Sequence, residues 1–272
     1  MRISLKPKVY VRQCPVPWVM TTKDYESFFD PYDYVVTYYD DPKKERFSLG
    51  RIAQFWSKIG GSSLKVLEYG GGLAISRIIS AAPQAREIIF ADYCKANRQA
   101  VQAWIDKDPK AYDWRDTFDF IVRELEGKGP EEVAKREDEL RVIVHCDMKA
   151  ENILEIPANL ADKYGPPYDV VASSLCLEAA VESEQEYKDT VAKLAKLVKP
   201  GGYLMMHGVL GETFYTVGSK TFYVFHLTKE RVWLEVEGRG SRVKSRGSRV
   251  KSRGSRVKSR GSEKDLRERH KT

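Results

Sequence analysis

The stretch LKVLEYGGGLAISRIISAAPQAREIIFAD, Leu64 to Asp92, decides the fold. A short apolar run, Leu64 to Leu67, stops at Gly70, Gly71 and Gly72. An apolar helical pattern (Leu73, Ile75, Ile78, Ile79) follows, and a second run, Ile88 to Ala91, ends in Asp92. This order predicts strand, glycine turn, helix, strand and acid. Glycine lets the backbone turn tightly and approach a ligand, and the helix that follows presents free N–H groups at its first turn. An acid at the end of the second strand accepts hydrogen bonds from a ribose diol, and Asp92 lies 20 residues after Gly72, close to the spacing of a nucleotide-binding βαβ unit. The alternative is an ordinary βα turn with Asp92 as a solvated strand end.

No Gly-Lys-Ser/Thr follows the glycines, which argues against a phosphate cradle. Glu68-x-Gly70-x-Gly72 fits an adenosylmethionine turn better than a dinucleotide one, whose third glycine is absent. Composition supports a single large globular α/β domain: 272 residues, 42% hydrophobic and 11% aromatic. The formal charge of +7 is unevenly spread, because residues 238–272 carry a net +11 and leave −4 for residues 1–237. The body therefore gives no case for specific nucleic-acid binding. Cys14, Cys94, Cys146 and Cys176 show neither disulfide-framework nor zinc-ligand spacing, so no metal is expected and reduced thiols in the cytoplasm are the default. No run of about 18 apolar residues predicts a membrane span, and the apolar patch Val16–Met20, broken by Pro15 and Pro17, is too short for a signal core.

Residues 1–23 read as a loose extension. From Tyr25 to Tyr39 seven aromatics (Tyr25, Phe28, Phe29, Tyr32, Tyr34, Tyr38, Tyr39) surround Asp30-Pro31, a helix restart with proline near its first turn. Such density predicts either a lid whose tyrosines enclose a small ligand or a helix packed on the domain. Residues 45–60 form a helix into the first strand, and Ala100, Val101, Trp104 and Ile105 mark another after Asp92. Asn97, one turn into it, either reaches the ribose or adenine or sits on an exposed polar face. Residues 110–140, charged and glycine-punctuated, read as a surface excursion. Arg141 to His145 is the third strand; Asp147 at its end is suited to the adenine amino group, with Met148 against the ring. Tyr168 to Ser174 is a buried fourth strand leading into Glu178. An amphipathic helix (Tyr187, Val191, Leu194, Val198) then ends at Lys199-Pro200-Gly201-Gly202, and Tyr203 to Met206 supplies a fifth strand. Five β/α alternations predict a doubly wound parallel sheet with ligands outside the strands' carboxyl ends.

The motifs EYGGG, ADYCKANRQAV, WIDKDPKAYDW, LEGKGP, HCDM, SSLCLEAA, LVKPGG and GVLGETFYTVG, met in that order between Tyr25 and Thr228, resemble the small-amine methyltransferases that include the phenylethanolamine, nicotinamide, indolethylamine and thioether enzymes. The resemblance implies a class I, Rossmann-like fold, S-adenosyl-L-methionine as cofactor, and methyl transfer to a small molecule. It implies that Tyr34, Tyr39, Gly70, Gly71, Asp92, Asn97, Asp147, Met148 and Ser174 hold the cofactor. It also implies that Glu178, Glu212 and Tyr215 engage the acceptor, in the pattern of the phenylethanolamine enzyme. His207 stands where the nicotinamide enzyme has an aspartate, which disfavours nicotinamide, and Ser76 replaces a tyrosine usual in both. Independently of the family, an uncharged nitrogen must attack a sulfonium, and two carboxylates in a closed pocket supply orientation and a place for the departing proton. From position alone, Glu178 is either such a group or a helix N-terminal acid. Glu212 alone reads as a solvated loop side chain, and only the motif gives it a role.

Beyond the fifth strand the expectations change. Residues 227–236 begin a helix and then give way to GSRVKSR three times over, Gly240–Arg246, Gly247–Arg253 and Gly254–Arg260. One valine per repeat excludes a coiled coil and predicts a disordered basic tail able to bind polyanions. The methyltransferase domain is thus expected over residues 24–237, C-terminally truncated with the last two strands of the sheet missing. Two function classes follow: an active small-amine N-methyltransferase, or a truncated, weak or inactive relative whose tail binds acidic partners. Nothing in the sequence sets the oligomeric state.

Overall fold

The computed structural model describes residues 18–137 and 140–228. The tail repeats, and all but the first two residues of the helix expected over 227–236, lie outside these residues. Leu227 and Thr228 themselves are not helical.

Among the described residues six strands form the main sheet: β1 (Leu64–Tyr69), β2 (Ala85–Asp92), β3 (Leu140–Cys146), β4 (Leu154–Glu155), β5 (Tyr168–Ser174) and β6 (Val198–His207). Their order is β4-β3-β2-β1-β5-β6, all pairs parallel except the short antiparallel β3–β4. The chain reverses its direction of growth between β1 and β5, the switch point at which such sheets open a ligand crevice. The five parallel strands match the sequence reading. β4 is an addition, and β6 starts at Val198, which was expected to end the preceding helix.

Period-2 alternation explains how the sheet is covered on both faces. Val66, Ile88, Phe90 and Val170 enter one core with Leu49, Ile52 and Trp56 of a helix, while Leu67, Tyr69, Ile89, Ala91 and Val171 enter a second core with Tyr187, Val191 and Leu194 of another. The nine α-helices among the described residues are α1 (Tyr25–Phe28), α2 (Pro31–Tyr38), α3 (Arg46–Ile59), α4 (Lys95–Ile105), α5 (Arg115–Asp119), α6 (Pro130–Glu137), α7 (Ala161–Tyr164), α8 (Leu177–Ala180) and α9 (Glu184–Leu197). α2 starts as its sequence dictates: Pro31 is in its first turn, and the Asp30 carboxylate accepts from the amides of Tyr32 and Asp33.

Three expectations are corrected. The apolar pattern after the glycines is not an α-helix but two 3₁₀ turns, Ile75–Arg77 and Ala82–Gln84. Leu73, Ile75, Ile78 and Ile79 are buried on several sides, so the segment is core filler rather than one amphipathic face. Residues 110–140 are not a surface excursion. Trp114 just before α5, Phe118 on it, and Phe120, Ile121 and Val122 on the π-helical turn after it sit in the first core, and charged neighbours mask that burial in the sequence. Finally, Met20, in the stretch expected to be loose, pairs with Phe222 through two backbone hydrogen bonds of 2.8 Å to Thr221 and Tyr223.

A separate hairpin, β7 (Phe214–Val217) and β8 (Lys220–Tyr223), follows the main sheet. Gly218, at φ 55°, opens its two-residue loop. Its Phe222 packs with Phe29, and the Tyr38 hydroxyl donates to the Thr216 carbonyl (2.9 Å), so the N-terminal helices and the hairpin close over the same end of the sheet.

Candidate active site

A cavity of about 660 Å³ opens at the carboxyl ends of β1, β2, β3 and β5, within the roughly 300–1,000 Å³ usual for small-molecule sites. Gly70 is its floor. At φ 71°, a Cβ there would lie 2.0 Å from Cys176 Sγ, so the close approach of the β1 turn to the β5 turn requires glycine. Gly71 is equally constrained by the Phe90 ring, 2.2 Å from where its Cβ would lie. The turn's amides are not free, as a following helix would have left them: Gly70 and Gly71 donate to the Ala91 carbonyl (2.8 and 3.2 Å).

Asp92 ends β2 with only 5% of its surface exposed and faces the cavity. Its Oδ2 accepts from the Gly72 amide (2.7 Å), and its Oδ1 accepts from the Cys94 amide and from Asn97 Nδ2 (both 2.9 Å). Burial raises its carboxyl above the ordinary range, while these three donors pull the other way. Asn97 is not on an exposed polar face. It is wholly buried, does not line the cavity, and acts on Asp92 from behind.

The other expected cofactor residues do line the cavity: Tyr34 and Tyr39 from α2 and its end, Gly70 and Gly71, Asp147 and Met148 beyond β3, and Ser174 at the end of β5. Ser174 is 8% exposed, and its hydroxyl has no partner. Glu178, on α8, is 3% exposed. The Val209 amide donates to its Oε1 at 2.8 Å, and burial raises its carboxyl above the usual range. Glu212, just before the hairpin, and Tyr215, on β7, line the same cavity, and Tyr215 stacks on Phe222 (5.4 Å) and stands edge-on to Tyr34 (6.3 Å). Ser76 and His207 do not line the cavity.

Sequence reasoning missed several lining residues. Arg77 is buried, ion-paired with Glu45, and donates to the Tyr39 hydroxyl at 3.4 Å. Its only signal is a lone cation within an apolar run. Tyr69, Cys146 and Cys176 also line the cavity, and their burial raises each group's pKa. Phe214 could have been found from the alternation FYTVGSKTFY about a Gly-Ser turn.

The model of the NNMT/PNMT/TEMT family matches residues 17–261. The chain belongs to this family. Nicotinamide N-methyltransferase of Homo sapiens is 29% identical over 236 residues, covering 82% of this chain and 86% of its own. Indolethylamine N-methyltransferase of Mus musculus is 33% identical over 231 residues (81% and 85%). Phenylethanolamine N-methyltransferase of Bos taurus is 26% identical over 218 residues (75% and 74%). Among solved structures, the magnesium protoporphyrin IX methyltransferase ChlM from Synechocystis PCC 6803, with bound SAM, is similar at 14% identity and a TM-score of 0.40, over 65% of this chain and 70% of its own.

S-adenosylmethionine is the cofactor of this NNMT/PNMT/TEMT member, and its residues fit the group. Gly70, Gly71 and Gly72 line the cavity without side chains, an acid stands beside them at the end of β2, and Ser174, whose hydroxyl is buried and unpartnered, lines the same space. Among the described residues no helix is long and apolar enough to cross a membrane.

Proposed function

We propose that this chain transfers a methyl group from S-adenosylmethionine to the nitrogen of a small amine, with arylethylamines preferred over nicotinamide. The observation that carries this reading is that Asp92, Asp147, Met148 and Ser174 line the same cavity as Glu178, Glu212 and Tyr215. In this reading Asp92 binds the ribose diol, held in place by Asn97; Asp147 and Met148 take the adenine; and Tyr34 and Tyr39 cover the cofactor. Bound there, the cofactor supplies an electrophilic methyl on a sulfonium. The chain's own residues supply orientation, exclusion of water and a proton acceptor.

Glu178 suits the last role. Its raised affinity for a proton, caused by burial, narrows the gap to an alkylammonium, and the Val209 amide fixes the carboxyl's direction. Glu212 and the faces of Tyr25 and Tyr215 complete a wall suited to a cationic or hydroxylated amine. The free thiols of Cys94, Cys146 and Cys176 support a cytoplasmic setting, and the net +11 of residues 238–272 supports weak, salt-sensitive binding of polyanions. The test is a panel of acceptors assayed with the full chain. An arylethylamine with the highest kcat/KM agrees with the proposal, and nicotinamide as the best acceptor contradicts it.

A further inference from the structure

Among the described residues four cationic side chains line the cavity. Lys23, Lys44 and Lys149 are exposed, and Lys44 is already paired with Asp40 at 2.7 Å. The fourth, Arg77, is 2% exposed. One arm of its guanidinium, Nη2, serves Glu45 and the Tyr39 hydroxyl, while the other, Nη1, is buried without a hydrogen-bond partner. A buried, unpaired arginine N–H is costly unless something accepts from it. The neighbouring groups do not: both oxygens of Glu68 and Nδ1 of His207 are themselves unpartnered, although both side chains feel Arg77's charge.

Position says what kind of acceptor is missing. Along the sheet, Asp147 follows β3, Asp92 ends β2, the glycines follow β1, and Ser174 ends β5. A nucleoside held by the first two leaves the rest of the cofactor to run toward β1 and β5, and Arg77 lies seven residues past Gly70 on that side. The cofactor's far end is an amino acid with a free carboxylate.

We propose that Arg77 Nη1 is the anchor for the α-carboxylate of the cofactor's methionine portion, with Glu45 and the Tyr39 hydroxyl holding the guanidinium in position. The proposal rests on the reading of the cavity as the S-adenosylmethionine site. The planar fork allows one side of the guanidinium to be fixed by protein while the other meets a ligand oxygen, once the bound ligand displaces the side chains that close Nη1 from the cavity in this structure. The Arg77–Glu45 pair is neutral overall, which is no obstacle, because the ligand's amino-acid end is a zwitterion. Glu68, raised by burial to about 8, holds its proton for the most part at neutral pH.

Calorimetric titration of the full chain with S-adenosylhomocysteine and with its decarboxylated analogue, which keeps the amine and loses the carboxylate, tests this. Wild-type protein is expected to prefer the carboxylate-bearing ligand by about ten- to a hundredfold, one charge-assisted hydrogen bond. Arg77→Gln is expected to bind the two ligands within about threefold of each other, mainly by losing affinity for S-adenosylhomocysteine. Arg77→Lys keeps the ion pair with Glu45 but has no second arm. It is expected to lose the preference likewise, and it carries the test if the Gln variant does not fold. Variants that weaken both ligands by the same factor, or that retain the wild-type preference, overturn the proposal. Wild-type protein that binds the two ligands alike overturns the Arg77 assignment alone; wild-type protein that binds neither overturns the reading of the cavity and the proposal with it.

Discussion

Asp92→Ala removes at one stroke the acceptor of three donors: the Gly72 amide at 2.7 Å, the Cys94 amide at 2.9 Å and Asn97 Nδ2 at 2.9 Å. Asp92 and Asn97 are both buried, so the Cys94 and Asn97 donors have no ready replacement, whereas Gly72 borders the cavity and can turn to water. A buried donor left without a partner costs about 1–3 kcal/mol. Removing the carboxylate also relieves its desolvation, the cause of its raised pKa, which offsets part of that loss. The net expectation is a loss of folding stability of about 2–4 kcal/mol. Binding is a separate quantity. Losing charge-assisted hydrogen bonds to a ribose diol should weaken S-adenosylhomocysteine by roughly 2–3 kcal/mol, about 30- to 150-fold. Denaturant unfolding gives the first number, and calorimetry below the variant's transition gives the second. An unchanged ligand affinity would remove Asp92 from the site. An unchanged stability would refute the three-donor arrangement that holds the turn to β2.

Glu178→Gln keeps the size of a buried side chain and its contact with Val209, so kcat should fall by about 10²-fold while the dissociation constant of S-adenosylhomocysteine moves by less than about threefold. In wild-type protein the acidic limb of kcat/KM should lie above the ordinary carboxylate range, because burial raises Glu178, and that limb should vanish in the variant. A limb that persists in the variant assigns it to another group. Glu68 makes a prediction about stability. Its folded pKa, raised from 4.5 to about 8, means that the folded state keeps a proton the unfolded chain releases. Stability should therefore decline as pH rises from about 5 to 8, by up to about 1.4 kcal/mol per unit, and Glu68→Gln, which mimics the protonated acid, should flatten the decline. Unfolding midpoints against pH that coincide for the two proteins would contradict it.

The parts of this molecule legible in its sequence are those with a local cause. The β1 turn could be read because Gly70 and Gly71 stand where a Cβ would strike Cys176 and Phe90, and only glycine satisfies that. The parallel strands were visible as β-branched and apolar runs because both their faces are covered. The segments read wrongly depend on distant partners. Phe118 to Val122 look peripheral beside their charged neighbours until α3 is seen across from them, and the isoleucines after Gly72 repeat at helical spacing while being buried from several directions. Asn97 shows the same limit within the site: its spacing from Asp92 was informative, but whether it faced ligand or carboxylate depended on side-chain direction. Arg77 was passed over because its partners, Glu45 and Tyr39, are 32 and 38 residues away.

The central claim is that the cavity at the carboxyl ends of β1, β2, β3 and β5 holds an adenosyl cofactor, and direct titration of the full wild-type chain with S-adenosylhomocysteine tests it. One ligand should bind per chain, with a matching rise in melting temperature that grows with ligand concentration. Neither heat nor any thermal shift at millimolar ligand would contradict the account.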